Sequence, residues 1–329
     1  MPFFEPNQVR VFSELPADQI NTRIHESFVP QAPPPAVHQS AEDWAKQRNV
    51  WMDALREKSF RAWPTESEAG PLDVKPVFCV TRYGIRFAAF DFTSQPCVRL
   101  RLYLAQRANV NKPGSVMLNV LDEEQWTQWL SAMRVGFGAE LGDQKLPEPN
   151  EIAFKQIQKV ISNTNQVLAY FAPRGIGPTG WRVDERKLTQ IYRRFMLLGQ
   201  TIDGMRVWDV RRAIQTLRSL DSLKSSVPIV LKGRSQMAGL ALYASLFEPR
   251  IAWLDLWHLP HSHHDGPTFL NVLRYLDMPQ TLAMAAERSQ IHLYQKDDFQ
   301  WQFPRAVIQK LAWPQDQFQV HTISQESEQ

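Results

Sequence analysis

The chain contains only two cysteines, Cys79 and Cys97, in 329 residues. That is too few for a disulfide framework, and they lack the close spacing of a zinc site, so each is expected to be a small buried thiol. A surplus of one charge is also missing: 37 Lys+Arg stand against 34 Asp+Glu, a formal charge of +3. A nucleic-acid footprint needs a concentrated basic surface, and no nucleic-acid partner is expected. No stretch approaches the roughly 18 apolar residues of a membrane helix. The opening residues Met1-Pro2-Phe3-Phe4-Glu5-Pro6 lack a basic region followed by an apolar run. The expectation is a soluble chain with no export signal and no membrane span, its compartment undecided. Glycine is nearly missing from residues 1–75, which hold only Gly70 but nine of the 23 prolines.

With 43% hydrophobic, 11% aromatic and 22% charged residues, the chain is able to bury a large core, which excludes disorder, collagen and coiled coil as its main state. Residues 1–75 read as a proline-rich wrapping extension or connector, extended over 30–35, where proline fixes φ and removes the backbone donor. It carries one helix, over about 41–60, with Ser40 as cap, Asp43 in the capping-box position and Pro64 beyond its end. From residue 76 a second domain is expected. Val77–Val80, Ile85–Phe92 and Val98–Ala105 read as antiparallel strands turning at Tyr83-Gly84 and Ser94-Gln95-Pro96. Ser115–Leu121, Gln166–Ala172, Val227–Lys232, Ile251–Leu256, Ser289–Tyr294 and Phe318–Ile323 read as further strands. A helix over about 203–218, capped by Asp203, lies among them. The pattern predicts an α/β fold: a mostly parallel mixed sheet with helices on both faces.

The most informative stretch runs from Val227 to Ala244. A buried strand enters Gly233-Arg234-Ser235-Gln236-Met237-Ala238-Gly239 and continues directly into a helix of small residues. This is the context of a nucleophile elbow, where a serine sits on a tight strand-to-helix turn with Oγ above the sheet. Ser235 is the candidate nucleophile and the Gln236 backbone N–H a candidate oxyanion donor, favoured by the positive end of the helix. The competing reading makes Ser235 a simple helix cap. Met237 stands where the usual Gly-x-Ser-x-Gly has its second glycine.

Residues 231–240, Leu-Lys-Gly-Arg-Ser-Gln-Met-Ala-Gly-Leu, resemble the Gly-x-Ser-Gln-Gly-Gly-x-Leu elbow of the acetyl xylan esterase and cephalosporin-C deacetylase group of α/β-hydrolases. Arg174-Gly175-Ile176-Gly177 is similar to the Arg-Gly-x-Gly that follows a sheet strand in that group. Asp209-Val210-Arg211-Arg212-Ala213 is similar to its Asp-x-x-Arg-Ala helix. The resemblance covers roughly residues 75–323, and 1–75 resembles the connector of long bacterial esterase-like chains, which makes the polypeptide a candidate part of a larger protein or assembly. Members of the group are often exported.

The resemblance implies an acid after the strand ending at Tyr294, where Asp297 is the first choice and Asp298 the second. The base is open between His321, inside the last predicted strand, and His263 in the loop His258–Pro267, which holds four of the eight histidines. Zinc is a weaker reading of that loop, because adjacent His263 and His264 seldom converge on one ion. Trp181, Trp253 and Trp257 are expected near Ser235. The implied function is a serine esterase hydrolysing acetyl or other small esters, on carbohydrate or a small molecule, with no cofactor or metal. Its second oxyanion N–H would come from the loop after Ser115–Leu121, yet Asp122-Glu123-Glu124 there carries three acids that repel an oxyanion if they point inward. Met237, that loop and the absent family histidine favour a different class, a catalytically impaired hydrolase domain acting as a binding or structural module. A serine peptidase of prolyl-oligopeptidase type shares the fold but needs a propeller domain.

Overall fold

A computed structural model describes residues 3–19, 24, 28, 30–142, 146–223 and 227–323. Three strands, β1 (Lys75–Arg82), β2 (Ile85–Gln95) and β3 (Val98–Arg107), form an antiparallel meander. Tyr83 and Gly84, both at positive φ (53° and 75°), supply the two-residue turn whose twist matches the flanking strands. The second turn lies slightly later than the sequence suggests: β2 continues to Gln95 and Cys97 takes the positive φ of 67°. Cys79, on the outer strand, and Cys97 are both exposed, contrary to the expected burial, because an edge strand and a turn have no second layer above them.

The remaining strands are β4 (Ser115–Val120), β5 (Gln166–Phe171), β6 (Ile229–Arg234), β7 (Ile251–Trp257), β8 (Gln290–Gln295) and β9 (Phe318–Thr322). They pair in parallel, and β3 joins them antiparallel through β5 to give the order β1-β2-β3-β5-β4-β6-β7-β8-β9. The fold class is therefore α/β with a mostly parallel mixed sheet, as the strand and helix pattern predicts.

Among the described residues the longer helices are α1 (Ala41–Ala54), α2 (Glu123–Phe137), α3 (Glu151–Asn163), α4 (Glu185–Leu197), α5 (Ile202–Ser219), α6 (Gln236–Phe247), α7 (Met278–Ala286) and α8 (Gln302–Lys310). Among the described residues, none is long and apolar enough to cross a membrane. Ser40 caps α1 by accepting from the Asp43 N–H, and a π-turn over Leu55–Ser59 prolongs the helix, its end closed by the Phe60 N–H on the Leu55 carbonyl. Trp44, Trp51, Leu55 and Phe60 are buried in the common core, with the Trp44 indole donating to the Glu287 carboxylate at 3.0 Å. The cap of α5 differs from expectation: Thr201 accepts from the Gly204 N–H, which leaves Asp203 inside the first turn with its carboxylate free for other partners.

The two faces of the β6–β9 region differ in character. Leu231, Gly233, Leu254, Leu256, Ile291 and Leu293 are buried on the side where α6 packs. The opposite side carries two polar and aromatic rows fixed by the strand register. One row is Asn119, Lys232, Asp255 and His292; the next is Arg234, Trp257, Tyr294 and His321. All eight side chains are half-buried or exposed. The α5 helix is tied to the sheet by a buried ion pair, in which the Asp209 carboxylate accepts from the Arg174 N–H, from its guanidinium and from the Ser94 hydroxyl.

Candidate active site at the end of β6

β6 ends at Arg234 and α6 begins at Gln236, so Ser235 alone makes the turn, with φ +50° and ψ −121°. A serine is rarely held there, and such strain persists only where the surroundings enforce it. Here the Ser235 N–H donates to the Trp257 carbonyl at 2.8 Å, and its own carbonyl accepts from the Ala238 N–H at 3.1 Å. Gly233 lets the helix close on the strand: a Cβ there would lie 2.6 Å from the Met237 backbone. The Ser235 side chain makes no capping bond, so the simple helix-cap reading does not describe its hydroxyl. Ser235→Gly is expected to stabilise the fold by about 1 kcal/mol, the relief of roughly 1–3 kcal/mol of backbone strain less about 0.5–1 kcal/mol of added chain entropy. Urea unfolding midpoints of the two proteins check this.

Ser235, Gln236 and Met237 open onto a cavity of about 940 Å³. The first turn of α2, with Asp122, Glu123 and Trp126, the loop after β5, Trp181 and the α4 residues Tyr192 and Met196 also line it. Two glycines permit this packing. A Cβ on Gly177 would meet the Trp126 indole at 2.7 Å and one on Gly175 the Trp181 ring at 2.9 Å, and both have positive φ. Asp203 and Arg206 line the cavity as an ion pair of 3.1 Å, and the second Asp203 oxygen accepts from the Thr268 N–H.

The loop after β4 is not prepared for an oxyanion. Its Leu121 N–H donates to the Phe171 carbonyl at 2.9 Å and its Asp122 N–H to Gln125 Oε1 at 3.4 Å. Asp122 caps α2 by accepting from the Gln125 N–H, and Glu123 accepts from the Gly177 N–H. Both acids line the cavity. The Gln236 side chain reaches away from Ser235 to the Asp265 carbonyl at 2.8 Å, while its backbone N–H stands at the open first position of α6.

No protein-family description and no curated protein matches the chain in sequence. Solved structures match in shape. A structure from Bacteroides fragilis described as a proposed acetyl xylan esterase has a TM-score of 0.70 at 14% identity, over 97% of this chain and 85% of its own. A glucuronoyl esterase from Solibacter usitatus gives 0.61 at 13% identity over 87% of each chain. An acetyl xylan esterase from Paenibacillus sp. R4 gives 0.50 at 16% identity, over 88% of this chain and 90% of its own. The fold is that of an α/β-hydrolase.

An α/β-hydrolase brings an acid and a histidine from later strands to its serine. Asp297 and Asp298 lie in the loop after β8 and are exposed, with Asp298 paired to Arg305 at 2.9 Å. The two candidate bases are placed elsewhere. His321 stays inside β9, in register with Tyr294, which pairs with Trp257 and that with Arg234. Three strand spacings of about 4.8 Å separate its backbone from β6, about 14 Å in all. The exposed ring stacks on Tyr294, with centroids 4.9 Å apart. A histidine in mid-strand is held over its neighbour and cannot swing to the sheet edge.

His263 is buried beside α6, two turns beyond Ser235. Its Nδ1 lies 2.7 Å from the Pro267 carbonyl and its Nε2 2.6 Å from the Tyr243 hydroxyl. A carbonyl only accepts, so Nδ1 carries the proton, and the Nε2 lone pair is already taken by the phenol. That ring is a packed, neutral group rather than a base for Ser235. Burial pushes its pKa below the usual 6.5. The unfolded chain therefore binds the proton first as pH falls. Stability is complete above about 6.5 and is lost below it, by about 1.4 kcal/mol per pH unit until the lowered folded value is reached. Urea midpoints measured from pH 7 downward should show this slope, shallower in His263→Gln by one proton.

Of the tryptophans singled out from the sequence, Trp181 lines the cavity, Trp257 lies on the far face of the sheet, and Trp253 sits near the start of β7. Asp203, Arg206, Trp126 and Tyr192 were not legible as site residues, because three separate helices, α2, α4 and α5, bring them together. The only local signal was the glycine spacing at 175–180.

Proposed function

We propose that this domain is a binding module built on an esterase-type α/β-hydrolase fold, which holds a carbohydrate or similar small ester in the cavity at Ser235 without hydrolysing it. The observation that carries the reading is the engagement of both His263 nitrogens, with His321 held three strands away. A serine hydroxyl that neither of these two rings can deprotonate lacks the base the fold ordinarily supplies from those positions, and a serine without such activation is a weak nucleophile. The cavity composition supports the ligand class. Trp181 and Tyr192 offer flat apolar surface, and Asp122, Asp203 and Arg182 offer polar groups, a combination suited to a polyol with apolar ring faces and hydroxyl edges. The acetyl xylan and glucuronoyl esterases that share the fold support the same class.

Calorimetric titration with acetylated xylo-oligosaccharide tests it. Binding is expected, weakened about tenfold in Trp181→Ala or Tyr192→Ala, equivalent to about 1.4 kcal/mol. Release of p-nitrophenol from its acetate should be equal for wild type and Ser235→Ala. A serine esterase is the second reading, favoured by the enforced positive φ of Ser235 and the open Gln236 N–H. It would replace the first if hydrolysis in wild type exceeded that of Ser235→Ala by several orders of magnitude, the loss expected when a nucleophile is removed. Asp297 and a histidine would then have to be assigned their roles by mutation.

A further inference from the structure

We infer that the small cavity on the far side of Gly233 is a binding site for an oxyanion, either a carboxylate or a phosphoryl group. The cavity has a volume of about 190 Å³, and Asn119, Gln125, Lys232, Arg234 and Trp257 provide its polar lining. That is roughly six times the share of one water in the liquid, ample for such a group. The strand period of two places Lys232 and Arg234 on the same face of β6, the face away from α6.

The charge arrangement is what calls for a ligand. Among the described residues, neither Lys232 nor Arg234 has an ion-pair partner. The carboxylate opposite Lys232 in the register, Asp255, is bonded instead to His292 Nδ1 at 3.0 Å. The Lys232 ammonium rests 5.5 Å over the Trp257 ring, and burial lowers its pKa from the usual 10.5, outweighing the opposing pull of the Asp255 carboxylate. Two like charges two residues apart at a partly desolvated site repel each other, and an anion between them relieves both terms.

The hydrogen-bonding inventory has the same sign. Lys232 brings three donors and Arg234 five, neither with an acceptor. Asn119 has its amide hydrogens engaged by the Met117 and Ala169 carbonyls, and Gln125 Oε1 receives the Asp122 N–H, leaving the Gln125 amide hydrogens available. Donors outnumber acceptors heavily in this wall. The inference does not depend on whether Ser235 turns over an ester.

Calorimetry at constant ionic strength, with inorganic phosphate and acetate in separate titrations and chloride as the control, tests the site in the full chain. One of the two oxyanions should bind with a dissociation constant below about 10 mM, at least tenfold more weakly in Lys232→Met and in Arg234→Gln. Saturation by phosphate alone assigns a phosphoryl group, and by acetate alone a carboxylate. Without added anion, Lys232→Met should melt at or above the wild-type temperature, since it removes a half-buried charge that has no ion-pair partner among the described residues. The absence of binding by either anion overturns the inference, as does binding unchanged in both variants or a Lys232→Met protein clearly less stable than wild type.

Discussion

Asp209→Ala is expected to remove about 3–5 kcal/mol of stability, the loss that follows when one member of a buried ion pair is left without its partner. The Asp209 side chain is fully buried and accepts four hydrogen bonds: three from Arg174, at 2.6, 2.8 and 3.0 Å, and one from Ser94 at 2.6 Å. Its removal strands the Arg174 guanidinium in the interior. Most domains have only about 5–15 kcal/mol in total, so this one change consumes a large fraction. A double variant, Arg174→Met with Asp209→Leu, should lose less than Asp209→Ala alone, because no charge remains to be desolvated. Guanidinium unfolding of the three proteins measures the difference. Equal losses in the single and double variants would show that packing, not charge, fixes α5 on the sheet.

Gly233→Ala is expected to be nearly as damaging, and to act on the site itself. The added Cβ would meet the Met237 carbonyl carbon and oxygen at 2.6 Å and the Ala238 nitrogen at 2.7 Å. These are backbone atoms of the first turn of α6, with no flexible end to yield. Overpacking of this kind costs about 1–3 kcal/mol or more. The helix must move off the strand, carrying Ser235 out of the cavity wall. The variant should therefore lose both unfolding stability and binding of the acetylated oligosaccharide, whereas Ser235→Gly should lose neither. Retention of full affinity in Gly233→Ala would mean that the cavity does not depend on the elbow.

The sequence by itself determined those features that are written locally. An apolar run meeting Gly233, then Ser235, then a run of small residues leaves no other path than a strand turning at once into a helix, and the turn lies where that run ends. The alternation of strands and helices determined the mixed parallel sheet, since each apolar strand needs cover on both faces. Helix caps were legible where a side chain serves its own first turn, as at Ser40. They were misread where two candidates compete, as with Thr201 and Asp203, because the choice rests on the partners that Thr268 and Arg206 offer Asp203 from elsewhere in the fold.

Only the tertiary structure decided what the histidines do. In sequence, His263 is one of four imidazoles in a polar loop; in the fold it faces Tyr243 and Pro267, which saturate both nitrogens. His321 comes after Asp297 in the expected order, yet it lies inside β9, where sheet register fixes it above Tyr294. The two cations at 232 and 234 read as ordinary polar positions of a half-exposed strand until β7 and β8 bring Asp255 into a hydrogen bond with His292 and leave neither cation with an ion-pair partner among the described residues. Distances across a sheet depend on strand order, here β4-β6-β7-β8-β9, and strand order is set by which apolar faces pack together over long separations rather than by any single segment. Chemistry that needs two side chains a few ångströms apart is decided at that level.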